Sequence, residues 1–308
     1  MLYSCIRTIC KVNLNLFISC SALLLYTRKF KLINLIKIAL FTLLISFPTR
    51  LIYTFVYTHN EGLMEIIKSL FLIFSNRFWF ITCYYGLYIL HPLIDRFLAS
   101  IESRESIFLV AFITYFALFI YPNCFALNTE INNGGRTIVW MIVLYIMTIA
   151  ISKQNNLDTN ILISINVISF LILSISMFIT SKYNTSNPLF SNDSPFVVGL
   201  SLSLFFLIKD FKIADVKIQK LLATTSSATL TVYLLHENCC KELLWNNINQ
   251  MINNSNFFTT ATILLIPIII YGFGVVVNYI LSIIVNPVLH LTVIKHICNK
   301  VDSIYEDI

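Results

Sequence analysis

Charged side chains are scarce in this chain of 308 residues: they make up 12% of it, against about 25% in an average soluble domain. Hydrophobic residues reach 57%, so lipid rather than water must surround most of the surface. Glycine and proline are also few, with seven of each. This shortage favours long helices and excludes a transmembrane barrel, whose strands need frequent turn residues and alternating polarity.

Several motifs of soluble enzymes are absent as well. The sequence contains no GxxxxGK[ST], GxGxxG, HExxH or GxSxG pattern, so nucleotide, dinucleotide, zincin and nucleophile-elbow chemistry have no support. Its eight cysteines include no CxxC pair and no Cys/His spacing suited to zinc. We therefore predict no metal and no bound cofactor. We also predict no nucleic-acid partner, because the net charge of +6 comes from clusters between apolar runs.

The apolar runs themselves are long enough to cross a membrane, and they recur along the whole chain. We predict an all-α, polytopic transmembrane helix bundle forming a single domain over residues 1–308, with about nine spans. The segment 62–75 is short and carries Glu65 and Lys68, which predicts an interfacial helix. The predicted spans are 12–27, 33–57, 78–98, 105–122, 136–152, 159–180, 194–209, 219–236 and 258–286.

The loops between these spans alternate in charge, which predicts the orientation. Loops 58–77, 123–135, 181–193 and 237–257 are rich in Asn, Thr and Ser and hold few cations. The other loops contain most of the lysines and arginines, and by the positive-inside rule they and the C-terminus are cytoplasmic. They include Arg28, Lys29, Lys31, Arg96, Arg104, Lys153, Lys209, Lys212, Lys217, Lys220, Lys295 and Lys300.

An odd number of spans with a cytoplasmic C-terminus puts the N-terminus outside. The first eleven residues nevertheless contain Arg7 and Lys11, which the positive-inside rule would place inside. Two explanations remain open: residues 1–10 form a partial span, or the chain lacks one N-terminal helix.

His236 is a candidate for chemistry because it ends a predicted span at the outer face, beside Glu237 and Asn238. A histidine next to a carboxylate can act as a general base, with its tautomer set by the neighbour. The alternative is a hydrated helix end, where the three polar residues only cap the helix.

Three further ionisable residues lie at membrane depth or at the end of a span, where such groups often mark a functional site. Arg50 and His59 bracket the outer end of the second span, and a cation at Arg50 suits a substrate clamp. His91 precedes Pro92, and because proline frees a backbone carbonyl one turn earlier, His91 could instead satisfy local backbone.

Aromatic residues on the third predicted span offer a possible lining for an acceptor cleft. Tyr84 and Tyr88 are four residues apart and therefore share one helix face. Trp79 starts the same span, where an interfacial anchor is an equally good interpretation.

Five segments together resemble the acyltransferase-three family of bacterial membrane acyltransferases, and they follow the family's order over nearly the whole chain. The segments are VNLNLFIS (12–19), NRFWFITCYYGLYILHPL (76–93), the stretch from GGRTIVW to Tyr145 (134–145), the stretch that begins with Ser194-Pro195, contains Phe205-Phe206 and ends at Lys209 (194–209), and VYLLHEN (232–238).

This resemblance implies an O-acyltransferase of the bacterial inner membrane. It would move an acyl group, expected to be acetyl, from acyl-CoA to a hydroxyl of a cell-surface or exported polysaccharide, so a glycan or lipid-linked glycan would be the partner besides membrane lipid. We assign catalysis to His236 and Glu237. The expected substrate-binding residues are Arg50, His59, Trp79, Tyr84, Tyr88, His91 and Asn238.

The resemblance has departures that keep a second hypothesis open. The family's first helix carries a histidine regarded as catalytic, whereas the stretch before VNLNLFIS has none. Cys20 also stands where the family has glycine. The alternative function is therefore a non-enzymatic polysaccharide flippase or transporter, or an inactive acyltransferase relative.

Overall fold

The computed structural model describes residues 2–55, 78–124, 133–154, 157–183, 187–238 and 258–307, together with 185, 241, 245 and 246. Every regular element within these residues is helical. The helices are α1 (Leu2–Lys11), α2 (Asn13–Leu25), α3 (Leu32–Tyr53), α4 (Trp79–Ser100), α5 (Arg104–Tyr115), α6 (Tyr121–Cys124), α7 (Ile138–Ser152), α8 (Thr159–Tyr183), α9 (Pro195–Ile208), α10 (Val216–Ser227), α11 (Thr229–His236), α12 (Phe258–Leu289) and α13 (Thr292–Asp307).

The prediction of an all-α fold with helices that can cross a membrane is confirmed for the described residues. Among the described residues, five helical stretches are long and apolar enough to cross a membrane: Ser4–Leu25, Leu32–Tyr53, Thr159–Tyr183, Pro188–Ile208 and Leu265–Leu289. The other predicted spans are helical but do not meet that standard, so the count of nine stays a prediction. The predicted interfacial helix at 62–75 lies outside the described residues.

Local side-chain caps explain where several helices begin. Ser103 and Thr137 precede α5 and α7, and each hydroxyl accepts a hydrogen bond from the backbone N–H three residues later. Asp215 does the same for α10 through the N–H groups of Lys217 and Ile218. Each cap satisfies a donor that the first helical turn leaves without a partner.

The chain divides into two compact units, and the first comprises residues 1–30 and 83–212. Within it, α2 packs against α7 and α9, α8 packs against α9 and α1, and α5 packs against α7. Its core contains the fully buried side chains of Phe119, Trp140, Tyr145 and Leu173. The outward faces of α5 and α8 keep large apolar side chains exposed, as expected for helices that face lipid.

The second unit comprises residues 31–82 and 213–307. Here α3 packs against α11, α12 and α13, and α11 packs against α12. A Cβ atom on Gly274 would lie 2.4 Å from a Val232 side-chain carbon, so glycine permits the close approach of α11 and α12. The carboxylate of Asp302 on α13 accepts a hydrogen bond from the Leu32 N–H at 2.8 Å. This contact caps α3 from another helix.

The predicted span 219–236 is two helices, α10 and α11, which meet at Ala228. The reason lies in a run of Ser and Thr whose hydroxyls bond to backbone carbonyls of their own helix, including Ser226 to Ala223 and Ser227 to Thr224. Such bonds compete with the regular helix. Two polar side chains of α12 complete the break: Tyr271 donates to the Thr225 carbonyl, and Asn278 donates to Ser227.

We expect the thiol reactivity of Cys298 on α13 to depend on the hydrogen bond by which Asp302 caps α3. Its side chain is 3% exposed, and burial raises the pKa of the thiol, with the negative charge of Asp302 adding to that effect. Cys298 should therefore react slowly with maleimide even in solubilised protein. Asp302→Ala removes both the charge and a cap typically worth about 1 kcal/mol, so labelling should accelerate and the melting temperature should fall.

Ser303→Ala is the matched control, because the exposed Ser303 hydroxyl only bonds to the Lys300 carbonyl of its own helix. Equal labelling rates in the wild type, Asp302→Ala and Ser303→Ala would show that the cap does not hold α13 in place.

Candidate functional site

His236 stands on an aromatic cluster of the second unit. Its ring meets the Tyr233 ring edge to face, with centroids 5.9 Å apart. The Tyr233 ring in turn packs edge-on against Phe78 and Phe80, at centroid distances of 6.1 and 5.4 Å. Two segments far apart in the sequence, NRFWFIT and VYLLHEN, therefore meet at this point and fix the direction of the histidine.

The hydrogen bond at Nδ1 sets the tautomer of His236. Nδ1 lies 2.7 Å from the Val232 carbonyl oxygen. Because a carbonyl can only accept, Nδ1 carries the hydrogen, and in the neutral ring the Nε2 lone pair is left to accept a proton. The Val232 carbonyl therefore takes the place that a neighbouring carboxylate could have had in setting the tautomer. Glu237 instead forms an ion pair with Lys241 at 2.7 Å, a spacing of one helical turn.

The other predicted residues of this unit are placed as follows. Asn238 donates to the Leu235 carbonyl at 2.7 Å and so caps the end of α11. Arg50 is 8% exposed, lies one turn before the end of α3, and has its guanidinium carbon 5.8 Å from the Tyr53 ring centroid. Trp79 begins α4 and meets Phe80 edge-on at 6.0 Å. His59 lies outside the described residues.

Tyr84, Tyr88 and His91 belong to the first unit and form a row of mutually tilted rings along α4. The ring centroids are 6.5 Å apart between Tyr84 and Tyr88, and 5.1 Å apart between Tyr88 and His91. Phe17 packs against Tyr84, and Phe30 packs against Tyr88. The two tyrosines thus share a helix face, as predicted, and that face is covered by aromatic side chains of the same unit.

The structure gives His91 the local backbone role that the sequence left open. Pro92 has no N–H, so it frees the carbonyl of Tyr88 four residues earlier. His91 Nδ1 lies 2.6 Å from that oxygen, and Nε2 lies 3.3 Å from the Arg28 carbonyl. The ring is fully buried. In the neutral ring Nδ1 donates to the Tyr88 carbonyl, which gives His91 a structural role, and its substrate contact stays a prediction.

A buried polar network that the sequence analysis missed lies in the first unit, around Asn15 of α2. Its amide nitrogen donates to the Asn192 carbonyl at 2.9 Å and to the Ser201 hydroxyl at 3.2 Å, while its oxygen accepts from the Trp140 ring N–H at 3.3 Å. One helical turn later, Thr148 donates to Ser19 at 3.1 Å. Asn15 and Ser19, four residues apart in an apolar helix, were the signal in the sequence.

The turn at Gly134 and Gly135 joins the same network. Both glycines have positive φ, 59° and 71°, and the Gly134 carbonyl accepts from the Asn192 N–H at 3.2 Å. A Cβ atom on Gly135 would lie 2.8 Å from the Asn192 Cβ and 2.9 Å from the Asp193 nitrogen. Only glycine can occupy this position without displacing the backbone.

A second missed cluster joins α4, α7 and the turn after α2. Tyr145 donates to one carboxylate oxygen of Asp95 at 2.7 Å, and the Thr27 N–H donates to the other at 3.3 Å. Thr27 has a positive φ of 65°, a conformation rare outside glycine. The described residues contain no group of three or more His, Cys, Asp or Glu that could hold a metal ion.

Gly135→Ala should destabilise the protein, because the new Cβ meets backbone and a left-handed conformation costs an alanine about 1–2 kcal/mol. Gly272→Ala is the matched control, since nothing lies within 4 Å of its added Cβ and helical alanine is favoured by about 1 kcal/mol. Thermal unfolding of both variants in detergent gives the comparison. An unchanged melting temperature for Gly135→Ala would contradict the described turn.

Comparison with known proteins gives one result. A family model described as an acyltransferase domain matches residues 2–286. That stretch includes almost all of the first unit, extends into the second and ends within α12, before α13. No curated protein and no solved structure matches the chain.

Proposed function

The chain belongs to the acyltransferase-three family, and from that membership we propose that it is a membrane O-acyltransferase. The donor is acyl-CoA, with acetyl as the expected group, and the acceptor is a hydroxyl of a cell-surface or exported polysaccharide. The enzyme acts in the bacterial inner membrane. One observation carries the assignment of chemistry to this chain: the Val232 carbonyl holds His236 Nδ1–H, which leaves Nε2 as an acceptor.

The reaction needs one base and an oxyanion stabiliser. Nε2 of His236 takes the proton of the glycan hydroxyl as its oxygen attacks the thioester carbonyl. Because His236 lies at the predicted outer face, the acyl group of the cytoplasmic acyl-CoA must reach it through the helix bundle. The carbon–oxygen ester bond forms, the carbon–sulfur bond breaks, and the proton passes to the departing CoA thiolate. Charge builds up on the carbonyl oxygen in between, and a cationic or hydroxyl donor lowers that barrier.

Arg50 is the cation of this unit that best suits the oxyanion or the donor. It is buried within α3, and α3 packs against α11, whose last residue is His236. A guanidinium also offers a planar set of donors to a phosphate or carboxylate. Glu237 and Asn238 line the same helix end and could hydrogen-bond the glycan.

His236→Gln separates a base from a binding contact. Loss of a general base should lower kcat by about 10²–10⁴-fold, whereas loss of a binding contact should mainly raise KM. The measurement is acyl transfer from labelled acyl-CoA to glycan in membranes, at matched protein levels. His296→Gln is the control, because His296 is an exposed residue of α13, beyond the residues that match the family. A wild-type kcat in His236→Gln would end the catalytic assignment.

We further propose that nine spans place the C-terminus in the cytoplasm, as the distribution of Lys and Arg indicates. Two exposed positions provide reporters, Thr185 in the loop 181–193 and Lys212 after α9. In a chain with its eight native cysteines replaced by serine, an impermeant maleimide should label Thr185→Cys in intact cells. Lys212→Cys should react only after permeabilisation. The reverse pattern would invert the orientation.

A further inference from the structure

The first unit contains an apolar cleft of about 290 Å³ between α5, α7, α8 and α9. On α9 it follows a single helical stripe from Pro195 through Val198 and Leu202 to Phe206. At 1.5 Å per residue this stripe is about 16 Å long, close to half of the roughly 30 Å hydrocarbon core of a bilayer. The cleft therefore runs along most of the length of α9.

The polar side chains that line the cleft are already satisfied. The Tyr115 hydroxyl donates to the Asp193 carbonyl at 2.8 Å, and the Ser203 hydroxyl donates to the Leu200 carbonyl at 3.2 Å. Directly after Tyr115, residues Phe116–Ile120 form a π-helical turn, a feature frequent at functional sites, and Ile120 lines the cleft. Only apolar surface is left for a ligand, which suits a hydrocarbon chain and excludes a glycan.

One end of the cleft continues into a polar cavity. Leu162 and Phe206 line both spaces, and the polar cavity, about 340 Å³, adds Lys209 and Asp210. Lys209 Nζ lies 5.3 Å from the Phe206 ring centroid and so stands directly at the junction. Its contact with Asp210 is long, at 3.6 Å, and Asp210 is 85% exposed. A solvent-screened pair of this kind contributes little.

A third cavity, about 480 Å³, widens the same rim and shares Gln154 with the second. It adds Arg104, Lys153 and the carboxylate of Glu102. Lys153 is held in position, because Nζ donates to the Leu98 carbonyl at 3.3 Å and lies 5.2 Å from the Tyr26 ring centroid. The rim thus carries three cations against two carboxylates, and it favours a negative headgroup.

We propose that this cleft and its rim bind an anionic glycerophospholipid. One acyl chain occupies the cleft along α9, and the phosphate lies at the rim near Lys209, Lys153 and Arg104. A basic rim between transmembrane helices is a known recognition pattern for acidic lipid headgroups. In the orientation proposed above, the rim faces the cytoplasm, so the lipid headgroup lies on the cytoplasmic side.

The test uses purified, delipidated full-length protein in a neutral detergent. Native mass spectrometry measures apparent affinities for phosphatidylglycerol and for phosphatidylcholine, which share their chains and differ in net charge. We expect phosphatidylglycerol to bind the wild type several-fold more tightly. Lys209→Gln should lower that affinity about fivefold, which corresponds to the roughly 1 kcal/mol that a basic residue contributes near an acidic lipid surface. Lys212→Gln, an exposed lysine outside the rim, should not.

A second pair of variants tests the cleft itself. Ile165 lines the cleft and is 40% exposed, whereas Ile168 is 55% exposed, lies one turn further along α8 and is outside the lining. Ile165→Trp should narrow the cleft and weaken both lipids at least tenfold. Ile168→Trp should leave both affinities unchanged.

Two results would overturn the proposal: equal binding of the two lipids by the wild type, or no difference in lipid binding between Ile165→Trp and Ile168→Trp. Because every readout is lipid binding, the test is independent of acyl transfer, and failure of the proposed function would leave it intact.

Discussion

Inside a bilayer, every polar group must find its partner within the protein, because the hydrocarbon offers none. Asn15 is where the first unit meets this constraint most completely. Its amide nitrogen donates to the loop before α9 and to Ser201 within α9, and its oxygen accepts a hydrogen bond from Trp140 of α7. Three helices that could otherwise slide along apolar faces are thereby held in one register. The Gly135 turn, which allows Asn192 to approach, serves the same network.

The same constraint explains which polar residues are structural and which retain a group for chemistry. His91 places both ring nitrogens against carbonyl oxygens, one of them released by Pro92. Tyr271 and Asn278 donate hydrogen bonds to polar groups at the break between α10 and α11. His236 differs, because its hydrogen bond to the Val232 carbonyl uses Nδ1 and its ring is only partly buried at the end of α11. A histidine at a helix end that keeps its second nitrogen is a better base than one enclosed by backbone.

The sequence predicted features that depend on neighbours along the chain. The shared face of Tyr84 and Tyr88 follows from helical spacing and is present. The backbone contact of His91 beside Pro92, which the sequence left open as an alternative to substrate binding, is present too. The Glu237–Lys241 pair has the same spacing and could have been found. The partners of Asn15 could not, since hydropathy shows an asparagine in an apolar run without showing what it meets. The break at Ala228 was missed because a hydropathy window averages hydroxyls with the leucines around them.

The segments that identify the family are largely the segments that hold the fold together. VNLNLFIS contributes Asn15 and Ser19, GGRTIVW contributes Gly135 and Trp140, and SP follows directly on Asn192 and Asp193. A match through such residues is strong evidence for a common architecture, because each one satisfies a polar group that lipid cannot. It is weaker evidence for chemistry, which needs a group with unused capacity. The proposed catalytic assignment therefore rests on His236 of VYLLHEN, whose Nδ1 is held by the Val232 carbonyl at a helix end, rather than on the resemblance as a whole.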